Sequence, residues 1–225
     1  MPYPLIIKDD FFSDPDSISR MTKEINYPVS KNSWPGRRSI FLSEINLKLF
    51  LYATQKIFLL FHDQIPNHNM AMTFHKSQPF VEGDKWHKKN RGWIHKDGCL
   101  FGGLIYLDKN PDKDAGTTIY RSKDGYDVQT QESIKIKEDH FSGKEIDDKQ
   151  FNKAFNVIED QYEETLRIPN LYNRLVLIPG DSPHSMTTIG DKERNTLLFF
   201  CYDLTGVSLP EYKRYPTVPI SNHAL

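Results

Sequence analysis

From about Met70 onward the chain breaks into short β-rich segments, and this texture limits the folds open to it more than any other feature. Met70–Phe74, Trp93–Asp97, Leu100–Leu107, Thr117–Tyr120, Leu175–Ile178, Ser185–Ile189 and Thr196–Asp203 are separated by Gly, Pro, Asp and Asn. Several strands at this spacing point to a sandwich or a barrel. The chain before them is partly helical. Ser13-Asp14-Pro15 supplies a capping side chain and a proline where a missing amide costs nothing, so a helix is expected to about Ile25. Ser43 is expected to cap a second helix, because Ile45, Leu49, Phe50, Ala53, Ile57, Leu60 and Phe61 recur on one helical face. That apolar face needs a sheet or another helix to lie on. Leu5–Ile7 reads as a short strand, as does Arg38–Leu42 after the Trp34-Pro35-Gly36 turn. Phe151, Phe155, Ile158 and Tyr162 fall at helical spacing within Asp147–Leu166 and predict a charged helical insertion. The tail from Leu209, with Pro210, Pro216 and Pro219, is expected to be extended.

The expected organisation is a single domain over 1–225, mainly β with flanking helices. Its helical support lies at about 13–62 and its charged insertion at about 127–170. A length of 225 residues, 38% of them hydrophobic, is enough to build one core. A formal net charge of -1 gives no basic field, so no nucleic-acid partner is expected. Cys99 and Cys201 lie in apolar surroundings and read as reduced, buried thiols. The most apolar stretch, within Leu47–Phe61, is interrupted by Lys48, Gln55 and Lys56, and Met1–Asp10 has no basic n-region. The expectation is a soluble, cytoplasmic protein with no membrane segment.

Chemistry enters with His95-Lys96-Asp97 and the distant His184. Two imidazoles and one carboxylate are what a non-haem Fe(II) oxygenase places on one face of its metal, leaving the other positions open. Alternate side chains of a strand share a face, so His95 and Asp97 point the same way. Taken singly, each has a plainer reading: a solvated strand-end histidine, a turn aspartate ahead of Gly98, and a loop histidine after Pro183. Arg194 shifts the balance. It opens the strand Arg194–Tyr202, whose period of two puts Arg194, Thr196, Leu198 and Phe200 on one face. A guanidinium and a hydroxyl at the mouth of an apolar pocket suit a dicarboxylate. The plainer alternative pairs Arg194 with Glu193 or Asp191 on the surface. The turn Gly190–Glu193 is expected to fold this strand back beside the one that begins at His184, placing both on one hairpin.

Together these residues resemble the Fe(II)/2-oxoglutarate dioxygenases: H-x-D, a distal His, then Arg or Lys about ten residues later with Ser or Thr two positions on. Leu104-Ile105-Tyr106-Leu107-Asp108 and Ala115-Gly116-Thr117-Thr118-Ile119-Tyr120 resemble strands of the prolyl-4-hydroxylase-like branch. Asn173–Ile178 and Trp34–Arg38 are similar to uncharacterised bacterial and phage members. The resemblance implies a double-stranded β-helix, a cupin-like jelly roll. It implies His95, Asp97 and His184 as iron ligands, and Arg194 as partner of the distal carboxylate of 2-oxoglutarate with Thr196 as its helper. Tyr106 matches a tyrosine that bonds the same co-substrate in some relatives, or is a core tyrosine with its hydroxyl otherwise satisfied. The implied cofactors are Fe(II), 2-oxoglutarate and O2. The implied reaction is hydroxylation of an unactivated C–H in an amino-acid, peptidyl or small-metabolite substrate, releasing succinate and CO2. The carboxylate at Asp97 favours hydroxylation over halogenation. Ala115 departs from the family's first turn glycine, and the segment from Asp127 to Asn170 exceeds a minimal barrel and could form a lid. Trp86, His87, Trp93 and Arg121 flank the motifs, as entrance residues or as packing and solvated surface. The rival readings are a non-catalytic jelly-roll binding or structural module that keeps the metal site, and a cupin dioxygenase indifferent to 2-oxoglutarate.

Overall fold

A computed structural model describes residues 3–28, 34–125 and 130–206. The elements in chain order are β1 (Ile6–Lys8), α1 (Pro15–Glu24), β2 (Arg37–Phe41), α2 (Leu42–Ile45), α3 (Leu47–Phe58) and β3 (Asn67–Ser77). A 3-10 turn (Lys88–Asn90), β4 (Phe101–Tyr106), β5 (Thr117–Ser122), α4 (Gln131–Phe141) and α5 (Asp148–Glu159) follow. The chain continues through β6 (Tyr162–Ile168), β7 (Leu175–Pro179), β8 (His184–Met186) and β9 (Arg194–Thr205). A six-stranded sheet runs β1-β7-β4-β9-β3-β2 and a three-stranded sheet runs β6-β5-β8. Every ladder is antiparallel. An antiparallel bridge between His95 and His184 adds the chain at His95 to the edge of the smaller sheet. The fold is a jelly roll, mainly β with flanking helices.

Alternation along the strands builds the layers. Phe101 and Ile105 of β4, Leu175 and Leu177 of β7, and Leu197, Phe199 and Cys201 of β9 face the helices, where Ile18, Ala53, Ile57 and Phe58 cover them. The intervening Leu104, Tyr106, Val176 and Ile178 face the smaller sheet and meet Ile119 and Ile168. A third cluster joins α4 and α5 to the smaller sheet through Phe151, Phe155, Ile158, Trp93, Ile94 and Tyr162. Full burial of each large side chain contributes about 1.5–3 kcal/mol, so the two insertion helices are held firmly over the sheet. Ion pairs at the rim, Arg91–Glu159 at 2.6 Å and Lys89–Asp148 at 2.5 Å, add little. Among the described residues no helix is long and apolar enough to cross a membrane.

Asp14 caps α1 by accepting from the Ser17 amide at 3.1 Å, as its sequence implies. The second helix differs from expectation. Leu42–Ile45 forms a separate single turn, and Asn46, not Ser43, caps α3 by accepting from the Leu49 amide at 3.0 Å. The insertion is two helices followed by a strand. α5 stops at Glu159, and Tyr162 opens β6, whose five residues after it are exposed and carry no apolar period to announce a strand. Trp93–Asp97 is not a full strand and contributes one bridge. The tail from Leu209 lies outside the described residues. Asn173 sits at φ 63, where asparagine is tolerated, and its amide bonds Phe12 N and Phe12 O at 2.8 Å each. This clasp ties the N-terminal segment to the larger sheet.

Candidate metal centre

His95 and His184 are locked to each other before any ligand arrives. The His95 amide donates to His184 O at 3.0 Å and the His184 amide donates to His95 O at 2.9 Å. The two rings lie 4.5 Å apart. His95 Nδ1 lies 2.8 Å from Trp93 O and His184 Nδ1 lies 2.9 Å from Ser182 O. A carbonyl can only accept, so each Nδ1 carries the proton and each Nε2 presents its lone pair. Such backbone partners fix the tautomer of metal-binding histidines. Asp97 completes the group: its carboxylate oxygens stand 3.7 Å from His95 Nε2 and 3.5 Å from His184 Nε2.

One ligand atom from each of the three lies within 4.8 Å of the others. Two donors at right angles, each about 2.1 Å from a divalent ion, would stand about 3.0 Å apart. The observed gaps are too long for direct hydrogen bonds and short enough for an ion between them. The donor set of two nitrogens and one carboxylate suits iron(II) with open positions. The geometry therefore fits a divalent cation. Burial, reinforced by His184 and Lys137, holds the His95 imidazole well below the usual histidine range, so it is neutral. Burial and then Asp97 push the Cys99 thiol up to about 12, so this neighbour is protonated. Gly180 lets the loop close: a Cβ there would stand 1.8 Å from Cys99 O and 3.2 Å from Asp97 O.

The far wall belongs to the other sheet. β8 pairs with β5, and β9 pairs with β3 and β4, so His184 and Arg194 do not share a hairpin. The turn Gly190–Glu193 instead carries the chain from one sheet to the sheet opposite. This crossing places the two residues on facing walls of one cavity of about 130 Å³. His95, Asp97 and His184 line one part of it, and Arg194, Thr196, Leu198 and Phe200 of β9 line another. The period-two face of β9 is thus present as expected.

Arg194 is only 5% exposed, yet its Nε has no hydrogen-bond partner, and neither does Thr196 Oγ1. The surface pairing with Glu193 or Asp191 does not form; Glu193 pairs with Lys76 at 3.4 Å. The Tyr106 ring lies 5.2 Å from the guanidinium and supports it. The Asp108 carboxylate, which acts on Arg194 through space, is held by the amide and side chain of Asn195 at 2.8 Å each. Burial lowers Arg194 from the ordinary guanidinium range, with Tyr106 and Asp108 opposing that shift. A buried cation and a buried hydroxyl with donors unspent are arranged to receive an anion.

Tyr106 is fully buried and its hydroxyl bonds Thr117 Oγ1 at 2.8 Å; it does not line the cavity. Of the four expected entrance residues, only Trp93 borders the wider depression of about 530 Å³ outside the metal ligands. Arg121 pairs with Glu163 at 2.8 Å on the surface, Trp86 is 45% exposed, and His87 caps the 3-10 turn. The sequence reading missed Arg38, His75 and Thr117 as cavity-lining residues. Arg38 sits in a mixed strand, Arg37-Arg38-Ser39-Ile40-Phe41, whose pattern gave no signal that it lines the cavity; nothing marked His75.

Solved structures share this architecture at low identity. A prolyl hydroxylase from Trichoplax adhaerens, in complex with a hypoxia inducible factor peptide fragment, is 12% identical with a TM-score of 0.51, covering 88% of this chain and 83% of that one. HygX from Streptomyces hygroscopicus, with nickel and 2-oxoglutarate bound, is 10% identical with a TM-score of 0.53, covering 91% and 84%. An oxidoreductase of the 2OG-Fe(II) oxygenase family from Burkholderia pseudomallei is 11% identical with a TM-score of 0.51, covering 88% and 84%. These are similarities of fold. No curated protein matches the sequence. The sequence itself matches one family model, described as a family of unknown function (DUF6445), over residues 2–195, and the chain belongs to that family.

Proposed function

We propose that this protein is an Fe(II)- and 2-oxoglutarate-dependent oxygenase, with residues 1–225 forming one catalytic domain. One observation carries the reading. A single cavity joins the His95–Asp97–His184 group to a buried Arg194 whose Nε has no partner and a buried Thr196 whose hydroxyl has none. Arg194 and Thr196 are proposed to hold the distal carboxylate of the co-substrate, while its keto-acid end faces the metal ligands. Tyr106 acts beneath Arg194, positioning it, rather than on the co-substrate. Iron(II) with 2-oxoglutarate and O2 supplies the oxidation: one oxygen atom goes to a substrate C–H, the other to succinate, and CO2 leaves. The protein's part is to orient and to exclude water. Leu198 and Phe200 wall the cavity, and Lys137 and Phe141 of α4 border the depression beside it. A cupin-type enzyme without 2-oxoglutarate would leave Arg194 and Thr196 with no anion to bind.

The depression suits a small molecule or one side chain of a peptide. The fold neighbours named above include proteins solved with a peptide and, for HygX, with hygromycin B. The test is anaerobic addition of Fe(II) and 2-oxoglutarate to the purified protein, followed by exposure to air. A visible charge-transfer band that needs both additions, then succinate in air, supports the proposal. A band without succinate indicates a binding module. Iron binding indifferent to 2-oxoglutarate and to Arg194→Ala indicates the cupin reading.

A further inference from the structure

The substrate side of the site holds more positive charge than the proposed reaction uses. Resting on that proposal, iron(II), the Asp97 carboxylate and the two carboxylates of 2-oxoglutarate together leave one negative charge, which Arg194 balances. Arg38 is then surplus, and Lys137, partly offset by Glu138, adds to the positive side. Arg38 lines both the narrow cavity and the wider depression, so it stands at their junction beside the metal ligands. Its guanidinium lies 4.0 Å from the Trp34 ring centroid and 5.5 Å from that of Phe200, which fixes its plane. Its Nε is buried without a hydrogen-bond partner. Lys137 reaches the same depression from α4. Among the described residues neither forms an ion pair.

Burial lowers both groups, Arg38 to about 10, and the acidic side chain acting on both is Asp97. Glu138 also acts on Lys137, whereas Asp97 is the carboxylate acting on Arg38, so once Asp97 is committed to a metal Arg38 lacks a carboxylate counter-charge. Half-buried cations without partners are costly, and an incoming anion removes that cost. Trp93, Phe141, Tyr162 and Tyr202 add aromatic surface to the same wall.

We infer that the substrate carries a carboxylate, seated on the planar donor edge of Arg38 with Lys137 as its second contact, and an apolar body against the aromatic wall. A planar fork matches a carboxylate with two parallel hydrogen bonds. The carboxylate anchors the molecule at the junction, so that a neighbouring C–H faces the metal.

The probes are N-acetylphenylalanine and N-acetylleucine, each compared with its carboxamide. The protein is loaded with Mn(II) and 2-oxoglutarate, and binding is read from broadening of probe proton signals by Mn(II). The same pairs are titrated into metal-free protein by calorimetry. The free acids are expected to bind at least about 10-fold more tightly than the amides. Arg38→Gln should remove that preference, Arg38→Lys should retain part of it, and Lys137→Gln should weaken the acids a few-fold. 2-Oxoglutarate affinity should stay within about 3-fold in each variant. Equal response to acids and amides, including none to either, overturns the inference. So does an acid preference that survives Arg38→Gln, or a loss of 2-oxoglutarate binding in that variant. Wild-type protein that fails to bind 2-oxoglutarate yet prefers acids when metal-free would remove the oxygenase reading and leave the carboxylate site standing.

Discussion

Arg194→Met separates two consequences that usually move together. In the free protein the guanidinium is 5% exposed with Nε unpaired, and no carboxylate among the described residues pairs with it. Tyr106 and Asp108 offset part of the burial, so removing the charge spares part of a desolvation cost of several kcal/mol. The lost contact with the Tyr106 ring, 5.2 Å away, offsets about 1 kcal/mol of that. Methionine keeps most of the volume. The metal-free variant should therefore be as stable as wild type or up to about 2 kcal/mol more stable. The effect on co-substrate is opposite. Loss of a two-pronged charge-assisted contact costs about 3–4 kcal/mol, or roughly 10²–10³ in affinity. With 2-oxoglutarate at 100 times the wild-type Kd, binding stabilises wild type by about 2.7 kcal/mol, and the variant by about 0.4 kcal/mol or less. Urea unfolding of both proteins, loaded with Mn(II), with and without 2-oxoglutarate, reads both quantities. A variant several kcal/mol less stable without ligand, or one stabilised by 2-oxoglutarate as strongly as wild type, refutes the reasoning.

Thr196→Val should leave the unliganded protein's stability within about 0.5 kcal/mol, because its hydroxyl has no partner, and weaken 2-oxoglutarate by about 3–10-fold in calorimetry. Tyr106→Phe breaks the 2.8 Å bond to Thr117 and the hydroxyl's contact with Arg194 but keeps the ring against the guanidinium, and should cost about 1–2 kcal/mol by urea unfolding, with 2-oxoglutarate affinity changed less than about 3-fold. Asn173→Ala removes both bonds to Phe12 and the residue tolerant of φ 63, so unfolding should show a loss of about 2–3 kcal/mol. Burial lowers His75 to about 3 and His140 to about 4, so both stay neutral in the folded protein while the unfolded chain takes up protons below about 6.5. Stability should therefore fall as pH drops from about 6.5 towards 4, at about 1.4 kcal/mol per pH unit for each group. His140→Phe should remove one such contribution from the slope. A variant with an unchanged slope would falsify that assignment.

The part of the site that sequence made legible rests on local rules. His95 and Asp97 share a face because they are two residues apart, and Arg194, Thr196, Leu198 and Phe200 share one for the same reason. What stayed hidden depends on how strands associate. Gly190–Glu193 looks like a hairpin turn, but β9 finds more apolar partners between β3 and β4 than beside β8, and the chain crosses to the opposite sheet. The crossing is what sets the guanidinium across the cavity from the imidazoles. Tyr162 continues the stripe of α5 at i+4 from Ile158, so periodicity alone could not tell the end of a helix from the first buried residue of a strand. Asn46 outcompeted Ser43 as a cap because the chain makes a separate turn first. Arg38 announced only a strand. Its stacking on Trp34 is local, four residues away, but its approach to Phe200 is a long-range consequence of β2 pairing with β3, which pairs with β9.

The most direct test of the central claim is a crystal structure of the protein grown without oxygen in Mn(II) and 2-oxoglutarate, with anomalous data at the manganese edge. The account predicts one anomalous peak about 2.1 Å from His95 Nε2, His184 Nε2 and an Asp97 oxygen. It also predicts a dicarboxylate running from that peak to Arg194 and Thr196. A peak elsewhere, or a dicarboxylate that leaves Arg194 uncontacted, would contradict it.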